Sequence, residues 1–271
     1  MRYKIVQQSQ VKFKKYAWIS FLFFFKLILR IMEYGVISIN IVPVRKKNNA
    51  KSEMINQLFF GEIISIIEIK DNWSLIKSNL DDYKGWIRNL HFQKIKKKDY
   101  NLLSKNQNEF AVNEMVLVNS NFRIIIPTGS LISTAKFLKY SYKKTKPSIS
   151  LKKTVKSFLN TPYLWGGKTK FGTDCSGLVQ SIFKTINIIL PRDACDQYKA
   201  GKEINSDFKI GDLAFFGKSP KKITHVGILI NNTKIVHAYG VVRIDKLTKE
   251  GIYNNEEKRI THILQKVKRV Y

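Results

Sequence analysis

Between Val42 and Phe92 the chain consists of short apolar segments separated by turn residues. Residues 61–69 are rich in β-branched Ile, and residues 73–77 alternate apolar with polar side chains. Residues 81–87 combine an Asp-Asp turn with the start of a further apolar segment. Strands this short, with turns this close together, are typical of a small β-barrel and argue against a helical bundle or a large open sheet.

The second half of the chain has a different pattern. Residues 151–159 and 178–186 carry apolar side chains at helical spacing, and strand-like runs follow them. A stretch rich in Lys, Ser and Pro, residues 142–150, predicts a linker. We therefore predict an α+β protein, with a first small barrel at residues 32–92. The pattern of short apolar segments recurs more weakly in residues 93–145, which predicts a second small module with a linker. Residues 146–271 are predicted to form the α/β-type domain.

The charge bears on which partners the chain can have. Lys and Arg number 48 against 20 Asp and Glu, a formal net charge of +28. A surplus of this size is typical of nucleic-acid binders. Here, however, Lys supplies 39 of the basic residues and Arg only 9, whereas base readout and phosphate clamping rely on Arg. We interpret the charge as compositional drift and predict no nucleic-acid partner.

Residues 1–31 have two interpretations. An apolar stretch, residues 17–32, follows several Lys residues, as in a secretory signal or membrane anchor. Lys26 and Arg30 interrupt it, at a cost of roughly 3 kcal/mol for a charge near the centre of an inserted helix, and no small-residue cleavage site follows. The alternative is that Met32 is the true start. We expect an exported or membrane-anchored protein in the first case and a cytoplasmic one in the second.

Cys175 lies at the start of a predicted helix. A Gly-containing loop, residues 166–172, precedes it, and Thr173 or Asp174 can cap the helix. The helix dipole and the free N–H groups at a helix start favour an anion, so we expect a lowered thiol pKa and a place for a developing oxyanion. This polar position indicates a nucleophile rather than an inert, packed thiol.

Two of the four histidines, His225 and His237, lie on a predicted hairpin. The dipeptide Asn231-Asn232 is a turn signal at the midpoint between them, so the two side chains are predicted to lie opposite or nearly opposite each other on one face. One imidazole can then act as the general base for Cys175 while the other orients it. A zinc site of Cys175, His225 and His237 stays open as the alternative, because three protein ligands are enough for a catalytic zinc.

Several sequence blocks in this half resemble the NlpC-type cysteine peptidases of bacterial cell-wall metabolism, which have a papain-like core. The matching blocks are Pro162–Gly167, Gly172–Gly177, Leu190–Ala194 with Gln197, Gly211–Phe216, His225–Ile228 and His237-Ala238. The resemblance implies Cys175 as nucleophile, His225 as base and His237 as orienting residue, with no metal or cofactor. It also implies that Tyr163 lies near the nucleophile and that Asp174 and Ser176 line the subsite for the residue before the cut.

The front of the chain resembles bacterial SH3-like modules, which often precede this catalytic domain. The whole chain is most similar to γ-D-glutamyl–diamino acid endopeptidases that carry two such modules. By that resemblance Glu53 and Tyr83 are candidate substrate contacts. A carboxylate such as that of Glu53 is the natural partner for the free amine of an N-terminal L-Ala.

The resemblance implies a cysteine endopeptidase that hydrolyses the γ-D-glutamyl–diamino acid bond of peptidoglycan stem peptides, in the wall or as free murein peptides. We expect a monomer, with membrane association only if residues 1–31 are an anchor. The alternative is a non-catalytic protein that binds the cell wall or its peptides through SH3-like modules. Intact Cys175, His225 and His237 favour the enzyme, because a pure binder has no need of all three.

Overall fold

The computed structural model describes residues 32–143 and 150–271. The predictions about residues 1–31 as a signal, an anchor or a mis-assigned start lie outside the described residues, as does most of the predicted linker at 142–150. Within the described ranges, no helix is both long enough and apolar enough to cross a membrane.

The first part of the chain is a seven-stranded antiparallel sheet. Its strands are β1 (Glu33–Ile37), β2 (Ile41–Arg45), β3 (Met54–Phe59), β4 (Ile63–Lys70), β5 (Trp73–Ser78), β6 (Lys84–Arg88) and β7 (Phe92–Ile95). They are arranged in the order β3-β2-β6-β5-β4-β1-β7. Alternate residues such as Val42, Val44 and Ile76 point into one buried cluster, which is the period-two pattern expected for short strands that cover a small core.

The following segment is smaller than the first sheet. It contains helix α1 (Lys97–Ser104) and a hairpin of β8 (Met115–Val118) and β9 (Arg123–Ile126). Leu117 and Ile126 of the hairpin pack with Val36 and Phe60 of the first sheet. The hairpin therefore buries its apolar side against a neighbouring sheet, because a two-stranded hairpin is too small to hold a core of its own.

The remainder of the chain combines short helices with a second seven-stranded sheet. Its elements are α2 (Leu151–Ser157), β10 (Lys168–Thr169), β11 (Gly172–Thr173), α3 (Cys175–Lys184), α4 (Ala194–Gln197), β12 (Lys202–Glu203), β13 (Leu213–Ser219), β14 (Lys222–Asn231), β15 (Lys234–Tyr239), β16 (Val241–Leu247), β17 (Gly251–Asn254) and β18 (Arg259–Arg269). The sheet has the order β12-β18-β13-β14-β15-β16-β17, and β17 also pairs with β18. That last pairing closes six of the strands into a barrel.

Strand alternation gives this barrel two faces with different partners. On one face Val226 and Ile228 join the cluster that contains the predicted apolar stripe of α3. On the other face Phe216, Leu229 and Ile235 pack together as a separate cluster. His225 lies four residues before Leu229 on β14 and therefore shares the second face with it, at the end opposite the β14–β15 turn.

The first sheet and the barrel-containing domain contact each other through polar groups. Gln57 Oε1 accepts a 2.8 Å hydrogen bond from the backbone N–H of Lys168. Asp81 Oδ2 accepts one of 2.7 Å from Gln180, and Lys184 Nζ forms a fully buried ion pair with Glu62 at 2.5 Å. These contacts fix the first sheet along α3, from the loop before the helix to its last residue.

Candidate active site

Cys175 is the first residue of α3, and Asp174 caps the helix, as the sequence predicts. Asp174 Oδ1 accepts a 2.7 Å hydrogen bond from the N–H of Gly177, and Oδ2 accepts one of 2.8 Å from Gly166. Gly166 has a φ of +78°, and a Cβ there would lie 2.6 Å from the carbonyl oxygen of Met54. Only glycine therefore lets the loop before the nucleophile approach the first sheet so closely.

The thiol of Cys175 does not have the lowered pKa that its helix-start position predicts. Burial, together with the nearby carboxylate of Asp174, raises the pKa of this thiol to about 11. Hydrogen bonds from the backbone N–H groups of Val226 and Ser176, and the charge of Arg192, lower the pKa but do not outweigh burial. The expectation of an ionised thiol is therefore wrong for the free protein, and a base must remove the proton during the reaction.

The two hairpin histidines contact each other directly. His225 Nε2 lies 2.9 Å from His237 Nδ1, and both side chains are buried. The strand register pairs Leu229 with Ile235, which places His237 two residues away from the position directly opposite His225. Both still share one face, so the contact is diagonal across the hairpin.

A carboxylate, that of Asp245, contacts His237 at its other ring nitrogen. His237 Nε2 lies 3.0 Å from Asp245 Oδ2 on β16, and Arg243 Nε lies 2.9 Å from the same oxygen. The sequence analysis did not single out Asp245. The signal that could have found it is Gly240, whose φ of +70° turns β15 into β16 and brings Asp245 opposite Ile235, on the histidine face.

His225 is suited to act as the base. Burial lowers its pKa well below 6.5, and the neighbouring His237 and His262 lower it further, so the imidazole is neutral at physiological pH. Its Nε2 is engaged with His237, which leaves Nδ1 as the nitrogen available to the thiol. The backbone of Val226, the next residue, is among the groups that lower the pKa of Cys175, so the strand that carries His225 passes close to the thiol.

Among the residues that the structure describes, one cluster of side chains could hold a metal ion, and it consists of three histidines. Ring nitrogens of His225, His237 and His262 lie within 4.8 Å of one another. The rings of His225 and His262, however, stack with centroids 4.1 Å apart and planes 27° apart. In-plane lone pairs of stacked rings run side by side instead of converging on one ion, as zinc requires. The cluster fits proton transfer better than metal binding, and Cys175 is not part of it.

Of the predicted substrate contacts, Tyr163 lies near Cys175, Tyr83 lies near Asp174 and Arg192, and Glu53 contacts Trp165. Burial raises the pKa of Tyr163 to about 12, and charges on Cys175 and Asp174 contribute. Burial also raises the pKa of Tyr83 to about 12, with contributions from Asp193 and other nearby groups. Tyr83 thus reaches from the first sheet to the N-terminal end of α3. Glu53 Oε1 accepts a 2.9 Å hydrogen bond from the indole of Trp165, which follows Tyr163 by two residues.

Asp174 and Ser176, the other two predicted contacts, are already engaged. Arg192 forms a buried two-point ion pair with Asp174, and its Nη1 donates a 2.8 Å hydrogen bond to Ser176 Oγ. Arg192 Nε also donates to Asn56 Oδ1 of the first sheet at 2.9 Å. In the free protein these side chains hold the N-terminal end of α3 against the first sheet.

The raised pKa of Cys175 predicts how the thiol reacts with iodoacetamide. Its alkylation rate is expected to rise about tenfold per pH unit from pH 7 to about pH 10, because the thiolate fraction does so below a pKa near 11. Peptide mass spectrometry of protein quenched at intervals measures the rate. Exposed Cys195 is the internal control and should react faster at pH 8. A rate at Cys175 that is rapid and independent of pH below 8 would contradict the raised pKa.

Two parts of the chain match known protein families. Residues 160–260 match the NlpC/P60 family, and residues 44–91 match the bacterial dipeptidyl-peptidase SH3 domain. A γ-D-glutamyl-L-lysine dipeptidyl-peptidase of Bacillus subtilis is 50% identical over 84 residues, 30% of this chain and 28% of that protein. A protein of the same name from Bacillus cereus is 24% identical over 225 residues, covering 69% of this chain and 68% of that one.

A solved structure supports the fold over most of the chain. The crystal structure of an NlpC/P60 family protein from Bacillus cereus superimposes with a TM-score of 0.68 at 16% identity, covering 88% of this chain and 99% of that one. By contrast, the B. subtilis alignment spans less than a third of that relative's length. The predicted resemblance and the fold class are confirmed at the level of domains: the chain carries a bacterial SH3 domain at residues 44–91, ahead of an NlpC/P60 domain at residues 160–260.

Proposed function

We propose that the chain is a cysteine endopeptidase that hydrolyses the γ-D-glutamyl–diamino acid bond of peptidoglycan stem peptides. One observation carries the proposal: the strand that passes close to the thiol of Cys175 carries a neutral, buried His225, whose Nε2 lies 2.9 Å from His237 Nδ1. A nucleophile with an oriented base is the arrangement that acyl transfer requires. The names of the Bacillus relatives support the substrate class.

In the proposed reaction the sulfur of Cys175 attacks the γ-glutamyl carbonyl carbon while His225 takes the thiol proton. Backbone N–H groups at the start of α3 stabilise the oxyanion. The C–N bond then breaks, and His225 returns its proton to the leaving amine of the diamino acid. His225 next accepts a proton from water as the water attacks the thioester. The C–S bond breaks, the thiol regains the proton, and the glutamyl product leaves with a free γ-carboxylate.

Glu53 is the proposed partner of a free N-terminal amine on the substrate. Lys46 donates a 3.0 Å hydrogen bond to its Oε2, and the hydrogen bonds from Lys46 and Trp165 lower the pKa of Glu53. The carboxylate is therefore ionised at neutral pH and partly exposed. A substrate ammonium could replace Lys46 as its partner, since both are cations with N–H donors. Selection for a free amine would direct the enzyme to released peptides rather than to intact wall.

The test is hydrolysis of L-Ala-γ-D-Glu-L-Lys and of the corresponding diaminopimelate peptide, followed by mass spectrometry. We expect release of L-Ala-D-Glu by the wild type and none by Cys175→Ala. N-acetylation of the L-Ala is expected to lower kcat/KM by at least tenfold, as charge-assisted hydrogen bonds contribute about 1.5–3 kcal/mol.

Variants at the proposed amine site sharpen this test. Glu53→Gln should lose most of the discrimination between free and acetylated peptide, whereas Lys46→Met, which removes the competing cation, should keep it. If the folded, reduced wild type cleaves neither these peptides nor intact peptidoglycan, the enzyme proposal fails. If the inactive protein nevertheless retains peptides, the alternative is favoured, a non-catalytic protein that binds the cell wall or its peptides.

A further inference from the structure

Asp245 lies at the far end of the histidine chain, away from Cys175. Its carboxylate is buried on the inner face of the barrel, where Oδ2 lies 3.0 Å from His237 Nε2 and 2.9 Å from Arg243 Nε. Arg243 in turn donates to Glu256 at the surface, at 3.0 Å. The carboxylate therefore has an imidazole on one side and a guanidinium on the other.

These neighbours keep Asp245 ionised. Burial alone would raise the pKa of this carboxyl, but the hydrogen bond with His237 and the charge of Arg243 outweigh burial and lower it. An ionised carboxylate can only accept hydrogen bonds. The 3.0 Å contact therefore requires that His237 Nε2 carries a hydrogen.

The position of the hydrogen on His237 also determines where the hydrogen of His225 lies. A neutral His237 that is protonated at Nε2 has a bare Nδ1, which can only accept. Because His225 Nε2 lies 2.9 Å from this Nδ1, the hydrogen of a neutral His225 must lie on its Nε2. The lone pair of His225 is then on Nδ1, the nitrogen that is left for the thiol of Cys175.

We infer that Asp245 is a positioning residue that selects the reactive tautomer of His225 through His237. The inference rests on the proposed function for its catalytic consequence. When the thiol proton moves to His225 Nδ1, both nitrogens of His225 carry hydrogen and the ring becomes a cation. His237 Nδ1 accepts from that cation, and the negative charge of Asp245 stabilises it through His237. The proton stays on His225 and later moves to the leaving amine.

The first test uses the wild-type protein and needs no activity. Two-dimensional ¹⁵N–¹H spectra that report histidine tautomers are expected to show that His225 and His237 each carry their hydrogen on Nε2. His225→Gln and His237→Gln spectra assign the signals. Finding either ring protonated at Nδ1 alone would overturn the inference, whatever the enzyme proves to cleave.

The second test compares Asp245→Asn with Glu256→Gln. Both changes remove a negative charge next to Arg243, but only the first touches His237. We expect Asp245→Asn to lower kcat about 10²-fold with KM changed less than threefold, to shift the tautomer signals, and to keep the wild-type melting temperature within a few degrees. Glu256→Gln should change neither kcat nor the signals.

Equal losses of kcat in the two variants, or an unchanged kcat in Asp245→Asn, would overturn the positioning role. If Asp245→Asn does not fold, the tautomers of His225 and His237 in the wild-type protein still test whether Asp245 selects the reactive tautomer. If the wild type cleaves no peptide, the proposed function fails, while the spectra continue to test Asp245 independently.

Discussion

His225→Ala is expected to lower kcat for the stem peptide by about 10⁴-fold, because it removes the proposed general base for Cys175. The effect should be this large because the pKa of the thiol is raised to about 11 by burial, so few molecules carry a thiolate without help. His237→Ala should lower kcat about 10²-fold, since it leaves His225 in place but removes the side chain that orients it. Steady-state kinetics on the free peptide measure both losses.

His262→Ala is the matched control for this comparison. His262 stacks on His225 at 4.1 Å but does not belong to the hydrogen-bonded chain that ends at Asp245. Its replacement is expected to change kcat by less than tenfold. A loss at His262 as large as that at His225, with the fold intact by circular dichroism, would contradict the assignment of His225 as the base.

Glu62→Gln is expected to lower the free energy of unfolding by about 3–5 kcal/mol, because it leaves Lys184 charged and buried without its partner. Lys184 and Glu62 are each 1% exposed, and their ion pair joins α3 to the first sheet. Lys168 lies in the same region and is also fully buried. Burial lowers the pKa of Lys168 to about 7, and the charge of Lys184 contributes. A buried, unpaired positive charge is therefore unfavourable in this region.

Urea denaturation measures this loss. The double variant Glu62→Gln/Lys184→Met removes both charges and should recover most of the stability, because an apolar side chain of similar volume tolerates burial. Glu203→Gln breaks the exposed pair with Lys266 and should cost less than about 1 kcal/mol. A Glu62→Gln loss no larger than that of Glu203→Gln would show that the buried pair does not hold the two parts together.

Much of the fold was predictable because local patterns and tertiary structure agree. The short strands of residues 61–69 and 73–77 are found within β4 and β5, and the apolar stripe of α3 is buried as its spacing predicts. Residues 93–145 were harder to predict. Their hairpin has no core of its own, and its partner residues, Val36 and Phe60, lie far away in sequence.

The pKa of Cys175 could not be predicted from its place in the sequence. A helix start favours the thiolate, but the same helix end is covered by other elements, and burial opposes charge more strongly. The extent of burial depends on groups that come from β14 and from the loop at Arg192, which only the folded chain brings together.

The sequence alone determined the resemblance to the NlpC/P60 domain, the helix-start cysteine and the two histidines on one face of a hairpin, because each depends on spacing within a short segment. Only the tertiary structure decided which groups complete the site. Asp245 reaches His237 through the register of β15 with β16, and Asn56 reaches Arg192 across 136 residues. Strand register and domain contacts are set by packing of the whole chain, and packing is what places a carboxylate at the end of the histidine chain.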